Sequence, residues 1–346
     1  MLRRTLIVLS LAAAARPLFA QAATPLPYPQ REEVRAFIDA VVVAHGFERS
    51  ALERVLAEGR YSEAAERLTT PALAPPSSRN WLDYRTRNVD ERRIRDGVEF
   101  WRANRTQLAR AAARFGVPEE NIVAIIGIET LYGRLTGTHR TLDVLLTLAF
   151  DYPRRASFYR EELAQFLVLC REQRLDPLAQ RGSFAGALGL PQFMPGSVRR
   201  HAIDFDGDGR VDLGRSVSDA IGSVASFLVA HGWLRDVPVQ FAARTEPDVL
   251  DVVGRTNVAA YRWQDIAALG VTIDGELAGD TRVMLVELPF ETAYGEAIDY
   301  RIGTVNFAAL LHYNRSTFYA TAVAELAAAI RARYVGTSPA AKGSAD

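Results

Sequence analysis

The stretch Ile122-Val-Ala-Ile-Ile-Gly-Ile-Glu129-Thr-Leu-Tyr-Gly133 places one carboxylate at the end of an otherwise apolar run. Just before it, Val117-Pro118-Glu119-Glu120-Asn121 supplies proline at a first turn and two acids at the positive end of a helix dipole. The spacing therefore predicts a helix that carries Glu129. A carboxylate in such a setting pairs with a cation, reaches water in a cleft, or holds a proton through a raised pKa. A raised pKa is what a general acid needs. Arg134 and Arg140 are the neighbouring cations, and spacing alone favours the plainer outcome, an ion pair.

Outward from this helix, apolar residues recur at three and four positions from Arg31 to about Trp233. Val34, Phe37, Ile38 and Val41 form one stripe over Glu33 to Ala44, and Ile94, Val98, Trp101, Leu108 and Ala112 form another over Arg93 to Phe115. After Trp233, Val237-Pro-Val-Gln-Phe241 and Arg282-Val-Met-Leu-Val-Glu-Leu288 read as strands. Helical spacing returns with Phe307, Leu310, Leu311, Tyr319, Val323, Leu326 and Ile330. The expected fold is mainly α: a helical region at 23–120, a core at 121–235, a small β-rich insertion at 236–303, and C-terminal helices at 304–335 that return to the core. The tail 336–346 has no apolar anchor and is expected to be disordered.

Among the 346 residues Lys and Arg balance Asp and Glu at 41 each, which argues against a nucleic-acid partner. Met1-Leu-Arg-Arg4, the apolar run Thr5 to Ala15 and the small residues of Ala20-Gln-Ala22 read as a signal peptide over 1–22. The mature chain is then expected outside the cytoplasm, soluble and with no membrane segment. The single cysteine, Cys170 in Phe166-Leu-Val-Leu-Cys170, reads as a buried filler that forms no internal disulfide.

Asp204-Phe-Asp206-Gly-Asp208-Gly-Arg210-Val-Asp212 matches the opening of an EF-hand loop: oxygen ligands at positions one, three and five, glycine at six, and the backbone carbonyl of Arg210 at seven. Position twelve is Arg215, where a bidentate Glu belongs, so Asp219 is the nearest closing ligand and the loop is lengthened to 204–219. The ion expected is calcium, in a structural role. The small-residue stretch Gly182-Ser183-Phe-Ala-Gly-Ala-Leu-Gly189-Leu-Pro-Gln192-Phe-Met194-Pro195 reads either as a tight helix crossing or as a place where a ligand approaches backbone. Aromatics with polar tips gather at Trp81-Leu-Asp-Tyr84 and Tyr313-Asn314-Arg-Ser-Thr-Phe-Tyr319, as sugar-binding surfaces do. No phosphate loop, His-Glu-x-x-His zinc motif or Gly-x-Ser-x-Gly elbow is present.

Taken together, Gly127-Ile-Glu129-Thr-x-Tyr-Gly133, Phe150-Asp-Tyr-Pro-Arg154-Arg155, Gly182-Ser-Phe-Ala-Gly-Ala-x-Gly189, Gln192-Phe-Met-Pro195 and Tyr313-Asn314 resemble the membrane-bound lytic murein transglycosylase B family, over about Tyr84 to Tyr334. The resemblance implies a lysozyme-like core with flanking helices and a small β domain, a calcium loop, and peptidoglycan glycan strands as the partner in the periplasm. It implies that Glu129 is the sole catalytic acid, that Ser183, Gln192, Met194, Tyr84, Tyr313, Asn314 and Tyr319 line the glycan cleft, and that Arg154 and Arg155 meet peptide stems or wall anions. Phe158 and Phe227 stand where relatives can carry tyrosine, and the lipid-anchor cysteine is missing.

Most glycosidases use two carboxylates. With no second acid standing out beside Glu129, the expected reaction is substrate-assisted: the N-acetyl group replaces the missing carboxylate and the product carries a 1,6-anhydro end. A hydrolytic muramidase, a non-catalytic wall-binding protein and a calcium sensor are the alternatives. A sensor would need paired EF-hands, and only one loop is found.

Overall fold

The structure, a computed structural model, describes residues 26–70 and 80–336. The signal-peptide segment 1–22 and the tail after Gly336 lie outside the described residues. Three helices come first: α1 (Glu32–His45), α2 (Arg49–Ala57) and α3 (Glu63–Thr69). Then follow α4 (Trp81–Asn88), α5 (Glu91–Ala103), α6 (Arg105–Phe115) and α7 (Glu119–Thr130). The middle of the chain holds α8 (Thr141–Phe150), α9 (Ala156–Glu172), α10 (Pro195–His201) and α11 (Val217–Ala230). Short helices α12 (Val249–Val253) and α13 (Trp263–Ala267) accompany the sheet, and α14 (Val305–Tyr313) and α15 (Thr317–Gly336) close the chain.

Local chemistry sets several of these boundaries. Asn80, Asp90, Ser216 and Thr304 each accept a first-turn N–H through the side chain, capping α4, α5, α11 and α14. The stripe over Arg93 to Phe115, expected as one helix, is two, because Asn104 ends α5 and starts α6 with φ −117° and ψ 22°. Its side-chain amide donates to the Phe100 carbonyl at 2.8 Å, satisfying a group the helix end leaves open. The apolar stripe runs through the break, so periodicity alone could not reveal it.

Two-residue strands β1 (His139–Arg140) and β2 (Arg181–Gly182) pair antiparallel. A second, five-stranded antiparallel sheet has the order β4-β6-β7-β3-β5. Its strands are β3 (Gln240–Arg244), β4 (Tyr261–Arg262), β5 (Thr272–Ile273) and the long hairpin of β6 (Arg282–Thr292) with β7 (Gly295–Thr304). Its own small core gathers Val249, Leu250, Val253, Ile266, Val283, Leu285 and Ile302.

Two larger cores divide the helices, and chain order does not predict how. Helices α1 to α3 bury Val34, Ile38, Leu52 and Leu56 against Leu142, Leu145, Leu163 and Phe166 of α8 and α9. Helices α4 to α7 join α11, α14 and α15 in the other core, through Trp81, Trp101, Ile122, Ile125, Ile221, Phe307, Tyr319 and Leu326. The helical region drawn as 23–120 is thus split between two bodies, because apolar spacing shows which face is buried and not what covers it. Cys170 is buried in the first body, and burial pushes its thiol up to about 12. Among the described residues no helix is long and apolar enough to cross a membrane.

Candidate active site

Helix α7 is the axis of the site. It packs against α5, α6, α11 and α15, so Asn121 to Gly127 are all buried. The chain leaves α7 in a turn where Leu131 (φ 49°), Tyr132 (φ 61°) and Gly133 (φ 88°) are all left-handed. Such strain persists only where surroundings enforce it. Here the buried Thr130 hydroxyl donates to the Leu190 carbonyl at 3.0 Å and accepts the Gly133 N–H at 3.0 Å. The Tyr132 hydroxyl enters between α5 and α7 and donates to the Arg93 carbonyl at 2.7 Å. It needs glycine on both sides, since a Cβ at Gly97 or at Gly127 would stand 2.5 Å from its oxygen. The Glu-Thr-x-Tyr-Gly spacing therefore serves to hold the end of α7 still.

Glu129, on the last turn of α7, makes no ion pair among the described residues. Arg134 binds Asp96, and Arg140 binds Asp143 at 2.6 Å, so both expected cations are engaged elsewhere. The Glu129 carboxyl accepts a hydrogen bond from the Tyr319 hydroxyl at 2.6 Å. Loss of hydration raises its pKa to about 7, against the opposing effect of the Tyr319 hydrogen bond, and no charged group contributes. The residue as a whole is half-buried, while its carboxyl is shielded from water.

Three phenols surround it. Burial raises Tyr319, Tyr313 and Tyr84, and each is raised further by the Glu129 charge. Tyr319 and Tyr313 stack at 6.2 Å, the Tyr313 hydroxyl donates to the Pro191 carbonyl at 2.6 Å, and Tyr84 rests between Trp81 and Phe318. Asn314 is exposed, and its carbonyl oxygen accepts the Ser316 N–H at 3.2 Å in the turn that delivers Tyr319.

The 182–195 stretch is a run of turns, not a helix crossing. Leu188 and Phe193 bridge antiparallel, and the backbone of Gln192 is left-handed (φ 51°). The Gln192 amide donates to the carbonyls of Gly189 at 2.8 Å and Thr136 at 3.1 Å, which leaves its oxygen for a ligand. Ser183 Oγ accepts the N–H groups of Ala187 at 3.0 Å and Ala185 at 3.3 Å and retains its proton. Met194 is half-buried against the α8–α9 body and leads into α10. Sequence reasoning missed Glu162, buried on α9, whose carboxylate accepts the Gly196 N–H at 2.7 Å and anchors the start of α10. Nothing in the pattern around Glu161-Glu162 distinguishes it from a surface acid.

Arg154 and Arg155 stand exposed before α9, on the other body, with the Arg155 guanidinium 4.2 Å above the Phe158 ring. Phe227 is buried between Tyr313 at 4.8 Å and His231 at 4.1 Å, an aromatic backing with no hydroxyl to offer.

At the loop, Asp204, Asp206 and Asp219 bring ligand oxygens within 4.8 Å of one another. Asp219 is 1% exposed on α11 and has no ion-pair partner among the described residues. Its oxygens accept the N–H groups of Phe205 and Asp212, both at 2.8 Å, which ties the start and the middle of the loop to the helix. Asp208 and Arg210 lie in the exposed turns between, joined by a 2.8 Å bond from the Arg210 N–H to the Asp208 carboxylate. A buried carboxylate facing two others, with only N–H groups as compensation, suits a hard divalent cation.

The chain matches the family described as Transglycosylase SLT domain over residues 29–328. It is 39% identical to membrane-bound lytic murein transglycosylase B of Escherichia coli over 310 residues, 88% of this chain and 84% of that protein. Its fold is similar to that of SltB1, a lytic transglycosylase of Pseudomonas aeruginosa (TM-score 0.81, 39% identity, 89% of this chain and 99% of that one). It is also similar to the Escherichia coli lytic transglycosylase Slt35 in complex with calcium (TM-score 0.77, 37% identity, 89% and 95% of the chains). With a model match spanning most of its length, a relative of this closeness, and Glu129 held by the turn and tyrosines described above, the chain belongs to the SLT-domain transglycosylases.

Proposed function

We propose that this enzyme is a lytic transglycosylase of peptidoglycan in which Glu129 serves as acid and then base. The observation that carries the reading is the isolation of Glu129: among the described residues, one tyrosine hydroxyl is its hydrogen-bond partner and no second carboxylate acts on it. Two-carboxylate glycosidases keep the pair within about 5 to 9.5 Å, where each feels the other's charge. A lone acid requires the substrate to supply the nucleophile, and N-acetylmuramic acid carries a 2-acetamido group.

In this reading the Glu129 proton passes to the oxygen joining N-acetylmuramic acid to N-acetylglucosamine, and the C1–O bond breaks. The acetamido oxygen closes on C1 as the leaving sugar departs with the proton. The Glu129 carboxylate then takes the C6 hydroxyl proton, and the C6 oxygen displaces the acetamide to form the 1,6-anhydro end. Glu129 is again protonated and no water is consumed. Ser183, Gln192, Met194, Tyr84, Tyr313, Asn314 and Tyr319 line the glycan cleft, and Arg154 and Arg155 meet anions of stem or wall. Calcium at Asp204, Asp206 and Asp219, with Asp208 and the Arg210 carbonyl completing the loop, stiffens the core without entering the reaction. The 1–22 segment directs the protein to the periplasm.

Mass spectrometry of sacculus digests in ¹⁸O-labelled water tests the chemistry. Unlabelled muramoyl ends one water lighter than a hydrolysis product are expected, whereas labelled, hydrated ends would make the enzyme a muramidase. The acid also gives a pH signature. Glu129 must be protonated at the start of the cycle, so kcat/KM should fall on the alkaline side with an apparent pKa of about 7. The Tyr319 hydrogen bond favours the ionised form, so Tyr319→Phe should move that alkaline limb to higher pH. A limb that stays put, or moves down, removes Tyr319 from this role.

A further inference from the structure

Beside the site, three arginines converge on one acid. Asp96 on α5 is 5% exposed and receives Arg95 at 3.1 Å, Arg92 at 3.6 Å, and Arg134. Three guanidinium groups against one carboxylate leave an excess of two positive charges. Side chains of Arg92, Arg95 and Arg134 are 60%, 58% and 51% exposed, so the buried acid fixes their inner edges while their outer faces stay open. The nearest other charges reduce the excess without cancelling it: Asp90 is taken by Arg93, Glu91 is bound by Arg333 and also feels the Arg95 charge, and Glu99, which forms no ion pair among the described residues, leaves one positive charge over. The hydrogen bonds of Arg134 and Arg95 hold the Asp96 carboxyl below the usual range against the opposing effect of its burial, so the anchor stays charged.

The cluster is tied to the cleft. Arg134 follows Gly133 directly at the end of the Glu129 helix, and two residues later the Thr136 carbonyl accepts the Gln192 amide at 3.1 Å. Gly137 then lies against the Gly182 carbonyl and the Ser183 N–H with no room for a Cβ. The segment bearing Arg134 is therefore part of the wall that Gln192 and Ser183 complete.

We infer that Arg92, Arg95 and Arg134, set by Asp96, form an anion subsite that takes the carboxylates of a peptide stem on a bound glycan strand. The inference rests on the peptidoglycan reading above. It concerns a different place from Arg154 and Arg155, which sit on the α8–α9 body. Stem carboxylates suit it better than phosphate polymers because the excess charge is local and the chain carries no net positive charge to follow a long polyanion.

The test measures binding and cleavage of two glycan preparations: strands that keep their stems, and strands stripped of them by an amidase. The variant Arg92→Gln/Arg95→Gln leaves the Arg134–Asp96 pair in place, and an unchanged melting temperature checks the fold. For stem-bearing strands the apparent Kd should rise roughly five-fold, since each exposed charge pair contributes modestly. Binding of stripped strands should not change, and Arg92→Lys/Arg95→Lys should restore most of the loss. The difference should vanish in 1 M salt, where screening reaches about 3 Å. Equal losses on both preparations, or none on either, overturn the subsite. A soluble polyglycerol phosphate that competes with the strands better than free stem peptide also overturns it, in favour of a phosphate partner. Wild-type cleavage is read separately: its absence on both preparations counts against the transglycosylase reading, while the binding difference still decides the subsite.

Discussion

Replacing Glu129 by Gln is expected to lower turnover of purified sacculi by about 10²- to 10⁴-fold, toward the upper end because in the proposed mechanism one residue serves both proton transfers. Substrate binding should be nearly untouched, since Gln keeps the shape and the oxygen that accepts from Tyr319. Stability should move the other way. The folded pKa of about 7 lies above the ordinary 4.5, so the protonated form is favoured by folding. That contribution is complete below about pH 4.5 and is lost as pH rises through 7. At pH 8 the ionised, dehydrated wild-type carboxylate costs on the order of 3 kcal/mol that the neutral amide does not. A variant with almost no activity and an equal or higher melting temperature at pH 8 is thus the expected pair of results. Retained turnover would take the acid role from Glu129.

The second large effect concerns calcium. Protein freed of metal by a chelator should gain about 2.7 kcal/mol when calcium reaches a hundred times its Kd, a rise of roughly 5 °C in melting temperature for a chain of this size. Asp206→Asn should remove most of that rise and change the metal-free protein little, because Asp206 is exposed and Ser216 can turn its hydroxyl. Asp219→Asn should lose the rise and also cost about 1 to 3 kcal/mol without metal, since an amide NH₂ would face the Asp212 N–H that the carboxylate now accepts. A thermal transition that ignores calcium would mean that the loop is held by its N–H bonds alone.

What could be read from the chain before folding was largely local. Pro118 and the two acids after it mark the start of α7, and Arg215 at the closing position of the loop turns attention to Asp219, four residues on, which the structure brings beside Asp204 and Asp206. What could not be read depends on partners far away in sequence. Whether Glu129 would meet Arg134, Arg140 or Tyr319 is decided by Asp96 and Asp143, which engage both arginines first. The separation of α1–α3 from α4–α6 is likewise invisible to periodicity, because both sets carry the same kind of stripe. Ser183 and Gln192 carry a family motif, yet much of their hydrogen bonding shapes the loop itself, a role that only backbone geometry reveals.

Glu129 and Tyr319 are 190 residues apart in sequence. The dehydrated pocket that makes the carboxyl an acid near neutrality is closed by α15, the last described helix, lying on α7. A partly synthesised or partly folded chain has the same glutamate in water, ionised and unable to donate a proton. Cleavage by an immature chain is thereby avoided: the carboxyl gains its raised pKa only when the last described helix docks on the middle of the chain.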